Sequence, residues 1–377
     1  MPHGRHKPMN DRIFKPNALF DGLHLQRDAG FRISNGRIAE IVDATPQARQ
    51  LAGCVSPGFV DLQVNGGGGV MVNTTPTPDG FLTIAAAHRK HGTTAILPTV
   101  ITDHPDVLDR AVQAAIACIG QDGLLGLHIE GPHIAQARRG THASEFIRPM
   151  DERTLDCVRA LRAHDVPVMI TVAPEAATTA DISDLTNLGA IVSLGHTDAT
   201  AGEIDAALSA GARCGTHLFN AMSQMQGRAP GAVGALLASD AHFGMICDGH
   251  HVDDRMIKLA LNAVAGQNRA FAVSDAMATV GGPDHFVLYG QTITQADGRL
   301  VNSAGNLAGA HLTLHEAVKR LVDSVGVSLG TALRMATSTP AAVIAKPALR
   351  QLVGQRIENV IVLSEDLATT TPLMTIL

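Results

Sequence analysis

Charge is scarce in this chain of 377 residues: Asp, Glu, Lys and Arg make up 17%, and the formal balance is −6. No basic footprint exists for nucleic acid or an anionic membrane surface, and neither is expected as a partner. Cysteine is sparse too. Cys54, Cys118, Cys157, Cys214 and Cys247 lie far apart with no CxxC pair. That favours free thiols in a reducing compartment over a disulfide scaffold, so a cytoplasmic location is expected. No apolar run reaches membrane-spanning length, and the basic opening MPHGRHKPMN lacks the apolar core of a secretory signal. The Gly66–Gly69 run has neither the Lys-Ser/Thr of a P-loop nor the spacing of a dinucleotide fingerprint.

What is present is a large core and many tight turns, with 45% hydrophobic residues, 37 Gly and 18 Pro. Residues 1–15 read as a loose tail. Asn17–Asp43 then shows short apolar stretches broken by turn pairs, with Asn35-Gly36 a strong hairpin signal. From Val55 the rhythm changes. Strand-like runs occur at Val55–Asn65, Gly92–Thr99, Leu124–Glu130, Val166–Pro174, Ala190–His196, Cys214–Asn220, Phe243–Gly249 and Ala270–Asp275. Most are separated by a helical pattern, such as Pro105–Ile119 or Thr200–Ala210, where Thr200 and Glu203 have capping-box spacing. Eight such units in about 220 residues predict an α/β fold, a (β/α)₈ TIM barrel spanning 55–344. A small β-sandwich domain is expected from both chain ends, 16–54 plus 345–377, with 286–300 contributing and Asp297-Gly298 as a turn.

The polar residues at the ends of those runs converge in such a barrel, because its chemistry sits at the C-terminal strand ends. They are Gln63 and Asn65 on the first, Glu130 on the third, His196 on the fifth, His217 on the sixth, Asp248 to His251 on the seventh and Asp275 on the eighth. A Glu at the end of LLGLHIEGPH needs a positive partner if buried, and a salt-bridged strand end is the structural alternative. One Glu with two His is a common catalytic zinc set with an open position for water, whose pKa the metal lowers. Asp275 ends an apolar strand and is the natural proton handler, with a capping carboxylate as its structural alternative. Arg228, in the stiffened loop QGRAPG, suits an anion through paired contacts. Arg138 and Arg139 read equally well as solvated loop polarity.

Seven stretches in order, PGFVDLQVNGGGG, GLHIEGPH, RGTH, SLGHTDA, THLFNAM, DGHHVD and VSDAM, resemble the N-acetylglucosamine-6-phosphate deacetylases of the amidohydrolase superfamily. The likeness runs from about Asn17 to Pro340. It implies that Glu130, His196 and His217 hold one divalent metal per subunit, zinc first, with iron or manganese as alternatives. It implies Asp275 as general base and then acid, and His142 as a catalytic and substrate-binding group on the oxyanion. Asn220, Ala221, Arg228, His251 and the Leu307 backbone would bind the sugar phosphate, with Arg228 and His251 near the phosphate.

The implied reaction is hydrolysis of N-acetylglucosamine 6-phosphate to glucosamine 6-phosphate and acetate. Alternatives are N-acetylgalactosamine 6-phosphate, another N-acyl compound, or a catalytically silent sugar-phosphate-binding barrel. The family is commonly dimeric, with a loop from one subunit reaching the other's phosphate pocket, and a homodimer is the expectation here. Two departures stand out. Gln63 and Asn65 occupy the first-strand positions where most amidohydrolases carry metal-binding histidines, so a second metal site should be absent or weak. VGQRIENVIVLS also lacks the usual Gly-X-X-Ala-Asp ending of the small domain.

Overall fold

The structure, a computed structural model, describes residues 13–301 and 307–377. Its centre is a sheet of eight parallel strands in sequential order. These are Phe59–Val64, Thr93–Ile101, Leu127–Glu130, Val168–Val172, Ile191–Leu194, Cys214–Gly215, His242–Ile246 and Ala270–Val273. All seven neighbouring pairs are parallel. The ring closes between the last and first strands. There Asp275 N–H donates to Gln63 C=O at 3.0 Å, and the Ser274 N–H donates to the Asp61 carboxylate at 3.2 and 3.3 Å. This is the expected (β/α)₈ barrel.

Helices follow the strands and cover the ring, their starts set by side-chain caps. Thr200 and Glu203 form the expected capping box, as do Thr178 with Asp181 and Thr313 with Glu316. One helix has no counterpart among the sequence expectations. Gly231–Ala238 is buried along most of its length, so GAVGALLA is apolar all round and carries no helical period. Leu329–Ala345 divides into two short helices, Leu329–Ala336 and Ser338–Val343.

The chain ends meet in a seven-stranded sheet with its own core around Phe14, Phe31, Ile38, Val55, Leu352 and Val360. Asn35 and Gly36 have φ of 50° and 70° at the tip of the expected hairpin. Of the tail expected over 1–15, residues 1–12 lie outside the described residues, and Ile13–Lys15 belong to the strand Ile13–Phe20. Burial of Phe14, 1% exposed, is the reason.

The stretch 286–300 was expected to contribute to that domain and does not. His285–Leu288, Gln291–Ala296, Arg299–Val301 and Leu307–Ala310 make a separate four-stranded sheet. Its apolar face is buried with Ile101 at the end of the second barrel strand and with Met71 and Met277 beyond the strand ends, so this sheet sits beside the mouth. Asp297 and Gly298 form its two-residue turn, with φ of 51° and 77°. Among the described residues no helix is long and apolar enough to cross a membrane.

Candidate active site

Several of the chemistry-bearing residues stand just beyond the strand ends, not on them. The fifth, sixth and eighth strands stop at Leu194, Gly215 and Val273. Two residues later come His196, His217 and Asp275, at φ of 48°, 30° and 50°. The left-handed conformation takes the chain out of the ladder. For non-glycine residues it is uncommon and concentrates at functional sites. Glu130 alone of this group is the last residue of its strand.

These turns bring donor atoms together at the barrel mouth. Glu130 Oε1 lies 3.1 Å from His217 Nε2 and 3.3 Å from His196 Nε2, and the two Nε2 atoms are 3.1 Å apart. All three side chains are buried. His196 Nδ1–H donates to the Arg138 carbonyl oxygen at 2.8 Å, which leaves its Nε2 lone pair facing the cluster. His217 Nδ1 has no partner among the described residues. Burial alone would raise the Glu130 pKa, but hydrogen bonds and charge from His196 and His217 hold it well below the usual value. The His217 pKa is raised because Glu130 outweighs the effect of burial. Two imidazole nitrogens and a carboxylate oxygen this close form a site that attracts a cation, and the donor set fits one divalent metal.

His142 lines the same site. Glu130, His142 and His196 each place a ligand-type atom within 4.8 Å of the others, and the His142 and His196 ring centres are 4.4 Å apart. Here the other nitrogen is informative. His142 Nδ1 accepts from the Thr102 N–H at 3.3 Å and lies 2.7 Å from the Thr102 hydroxyl. A backbone N–H can only donate, so Nδ1 is bare and the proton sits on Nε2. Burial, then His196, pushes the His142 pKa down to about 3. The ring is a neutral donor at the mouth.

Asp275 completes the floor. Its Oδ1 accepts from Asn65 Nδ2 at 2.7 Å and from Gln63 Nε2 at 3.2 Å. The same Gln63 Nε2 donates to Glu130 Oε1 at 2.9 Å. One amide therefore bridges two buried carboxylates, and Oδ2 of Asp275 is left outside that clamp. Burial, then the Glu130 charge, raises the Asp275 pKa to about 6. Asp61 lies beneath, fully buried, and accepts from the Gln63 and Ser274 N–H groups. A second polar layer supports the ligand loops from below: His128 Nε2 meets Thr171 Oγ1 at 2.8 Å, and Thr216 Oγ1 lies 2.7 Å from both Thr171 Oγ1 and Ser193 Oγ.

With this geometry in view, comparison with known proteins is decisive. Residues 54–347 match the model of the amidohydrolase family. The chain is 37% identical over 374 residues to an N-acetylgalactosamine-6-phosphate deacetylase of Shewanella sp. (strain ANA-3), covering 93% of this chain and 94% of that protein. It is 35% identical over 327 residues to an N-acetylglucosamine-6-phosphate deacetylase of Haemophilus influenzae, covering 83% and 84%. The chain belongs to the amidohydrolase family. Within it, the relatives define an N-acetylhexosamine-6-phosphate deacetylase branch. The solved N-acetylglucosamine-6-phosphate deacetylase of Pasteurella multocida superposes with a TM-score of 0.87 at 32% identity, covering 96% of this chain and 98% of that one. A mutant of the Mycobacterium smegmatis deacetylase, solved with N-acetyl-D-glucosamine-6-phosphate, gives 0.87 at 31%, covering 96% and 98%.

The outer residues of this amidohydrolase site are arranged less tightly. Asn220 and Ala221, half-buried, follow His217 on a loop where Phe219 and Ala221 again have positive φ. The Asn220 amide is turned back onto the His217 carbonyl at 3.2 Å. His251 Nδ1 is 2.6 Å from Asp248 Oδ2. Leu307 is 39% exposed on the accessory sheet, whose Ala310 N–H donates to Asp275 C=O at 3.1 Å. Arg228 is not gathered with these. It is exposed and lines a cavity of about 480 Å³ with Arg138, Asp198 and Thr200. His133, in the same motif as Glu130, serves structure, bonding Arg148 C=O and Thr154 Oγ1. Three residues of the site's support were not singled out in the sequence: Asp61, Thr102 and Tyr289. Their only signals were a buried-strand acid, a polar residue just after the second strand, and the sole tyrosine of the chain.

Proposed function

We propose that the protein hydrolyses N-acetyl-D-glucosamine 6-phosphate to D-glucosamine 6-phosphate and acetate. The observation that carries this is the joint placement of the Glu130, His196 and His217 donor atoms beside Asp275, one Gln63 amide away. Glu130, His196 and His217 would hold the metal, a reading supported by donor atoms that lie 3.1–3.3 Å from one another. The tautomer of His142 also assigns it another task. A divalent cation held there would make the attacking water more acidic and would polarise the acetyl carbonyl. His142 Nε2–H donates to the acetyl oxygen as negative charge builds on it. Asp275 Oδ2 takes the proton of the attacking water and passes it to the sugar nitrogen, so that an amine leaves and acetate forms.

Asn220, Ala221, His251 and the Leu307 backbone bind the sugar phosphate, with His251 near the phosphate. Arg228 serves the phosphate across a homodimer, a reading supported by its exposure. Five buried, free cysteines support a reducing, cytoplasmic setting. A second reading, the galactosamine epimer, is favoured by the 37% identity to the Shewanella deacetylase. Acetate release and metal content, measured with both 6-phosphates and both plain sugars, test the proposal. Highest kcat/KM on the glucosamine derivative is expected. A preference for its epimer transfers the assignment, and binding without acetate release by metal-loaded protein leaves a sugar-phosphate sensor.

A further inference from the structure

Tyr289 stands where a tyrosine is poorly suited. It is the first of two residues joining His285–Leu288 to Gln291–Ala296, and its φ is 48° with Gly290 at 73°. Two-residue hairpin loops with two positive φ values favour Asn-Gly or Gly-Gly, and a bulky side chain there is an outlier. Such conformations persist where surrounding contacts over-determine them. The contact is the Tyr289 hydroxyl, which donates to the carbonyl oxygen of Thr102. Thr102, 1% exposed, presents its N–H and its hydroxyl to His142 Nδ1 at 3.3 and 2.7 Å. Gly131, just after Glu130, makes room, because a Cβ there would lie 2.3 Å from Thr102 Oγ1.

We propose that Thr102, pinned by Tyr289 and given space by Gly131, is a positioning residue that holds His142 as the Nε2–H tautomer needed to donate to the acetyl oxygen. The proposal rests on the role given to His142 under the proposed function. The N–H of Thr102 cannot accept, so a proton on Nδ1 would meet it head-on, while the Thr102 hydroxyl is free to donate to a bare Nδ1. Without the hydroxyl only the longer amide contact remains. The ring can then turn or change tautomer, and a lone pair would face the acetyl oxygen where a donor is required. The accessory sheet thus reaches the reaction through two hydrogen bonds.

The test uses the full-length, metal-loaded protein and compares Thr102→Val, Thr102→Ser, Tyr289→Phe and His142→Gln, with metal content measured in each. The oxyanion contact strengthens in the transition state, so the loss belongs in kcat. Thr102→Val should lose about tenfold in kcat with KM within about twofold, and Tyr289→Phe about threefold, as expected for one weakened orienting bond. Thr102→Ser should restore the rate. In ¹⁵N spectra of the imidazoles, with His142 assigned through His142→Gln, the wild type should show a protonated Nε2 and Thr102→Val a mixture. Wild-type kcat in Thr102→Val beside an impaired His142→Gln overturns the positioning role and leaves His142 in the reaction. Wild-type kcat in His142→Gln overturns both. If Thr102→Val does not fold, Tyr289→Phe decides, and an unchanged rate with an unchanged His142 spectrum overturns the proposal.

Discussion

Asp275 Oδ1 is committed to Asn65 and Gln63, so in the proposed mechanism the proton would travel on Oδ2. Asp275→Asn keeps the size of the side chain and removes its basicity. General acid–base catalysis is worth about 10²–10⁴ in rate, and a residue acting in both proton transfers should fall in the upper part of that range. Metal content and circular dichroism should stay at wild-type values. Glu130→Gln, His196→Asn and His217→Asn should instead lose metal along with rate, because each removes a donor from the 3.1–3.3 Å cluster. A variant Asp275→Asn that keeps more than about a tenth of kcat with full metal contradicts the shuttle role, and one that has lost metal moves Asp275 into the coordination shell. Identity at this scale was legible in the sequence, since a carboxylate and imidazoles at apolar run ends need partners. Tautomer and orientation were not, because Thr102 and Tyr289 act through contacts 40 and 187 residues away along the chain.

At the scale of elements, the closing seam rests on Asp61. Its carboxylate is fully buried and accepts backbone N–H groups from Gln63 and Ser274. Burial pushes its pKa up to about 7. The folded state therefore holds this proton more tightly than the unfolded chain, whose value is near 3.9. Stability from this group is full below the unfolded value and is lost as pH rises through the folded one. Asp61→Asn, which mimics the protonated form, has no such loss. Between pH 5 and pH 8 its stability relative to wild type should rise by on the order of 2–3 kcal/mol, read from urea midpoints of both proteins. A difference independent of pH would show Asp61 ionising normally. Strand and helix order was readable from alternating periods in the sequence. The helix Gly231–Ala238 was hidden by apolar residues on every side, and the separate sheet around 285–310 by short strands that give no clue to their neighbours.

At the scale of the molecule, one chain gathers Glu130, His196, His217, Asp275 and His142, yet leaves Arg228 in solvent on the loop before the Gly231–Ala238 helix. A guanidinium there grips phosphate through paired, charge-assisted bonds only if a phosphate is brought to it. The proposed two-fold dimer would do that reciprocally, each loop reaching its partner's pocket. Arg228→Ala should raise KM for the phosphorylated sugar and leave plain N-acetylglucosamine nearly unaffected, since the lost contact serves the phosphate alone. Mixing separates action across the interface from action within one chain. Arg228→Ala lacks the arginine but keeps Asp275, and Asp275→Asn lacks the base but keeps the arginine. Each alone should turn over poorly at low sugar phosphate. After dissociation and random reassociation, half of the dimers are hybrids, and one of the two sites in each hybrid combines an intact Asp275 with a partner's intact Arg228. Activity should then recover to about a quarter of wild type. No recovery, with hybrids confirmed by affinity tags on the two variants, would place Arg228 over the pocket of its own chain, and equal losses on both sugars in Arg228→Ala would make it a support for its loop.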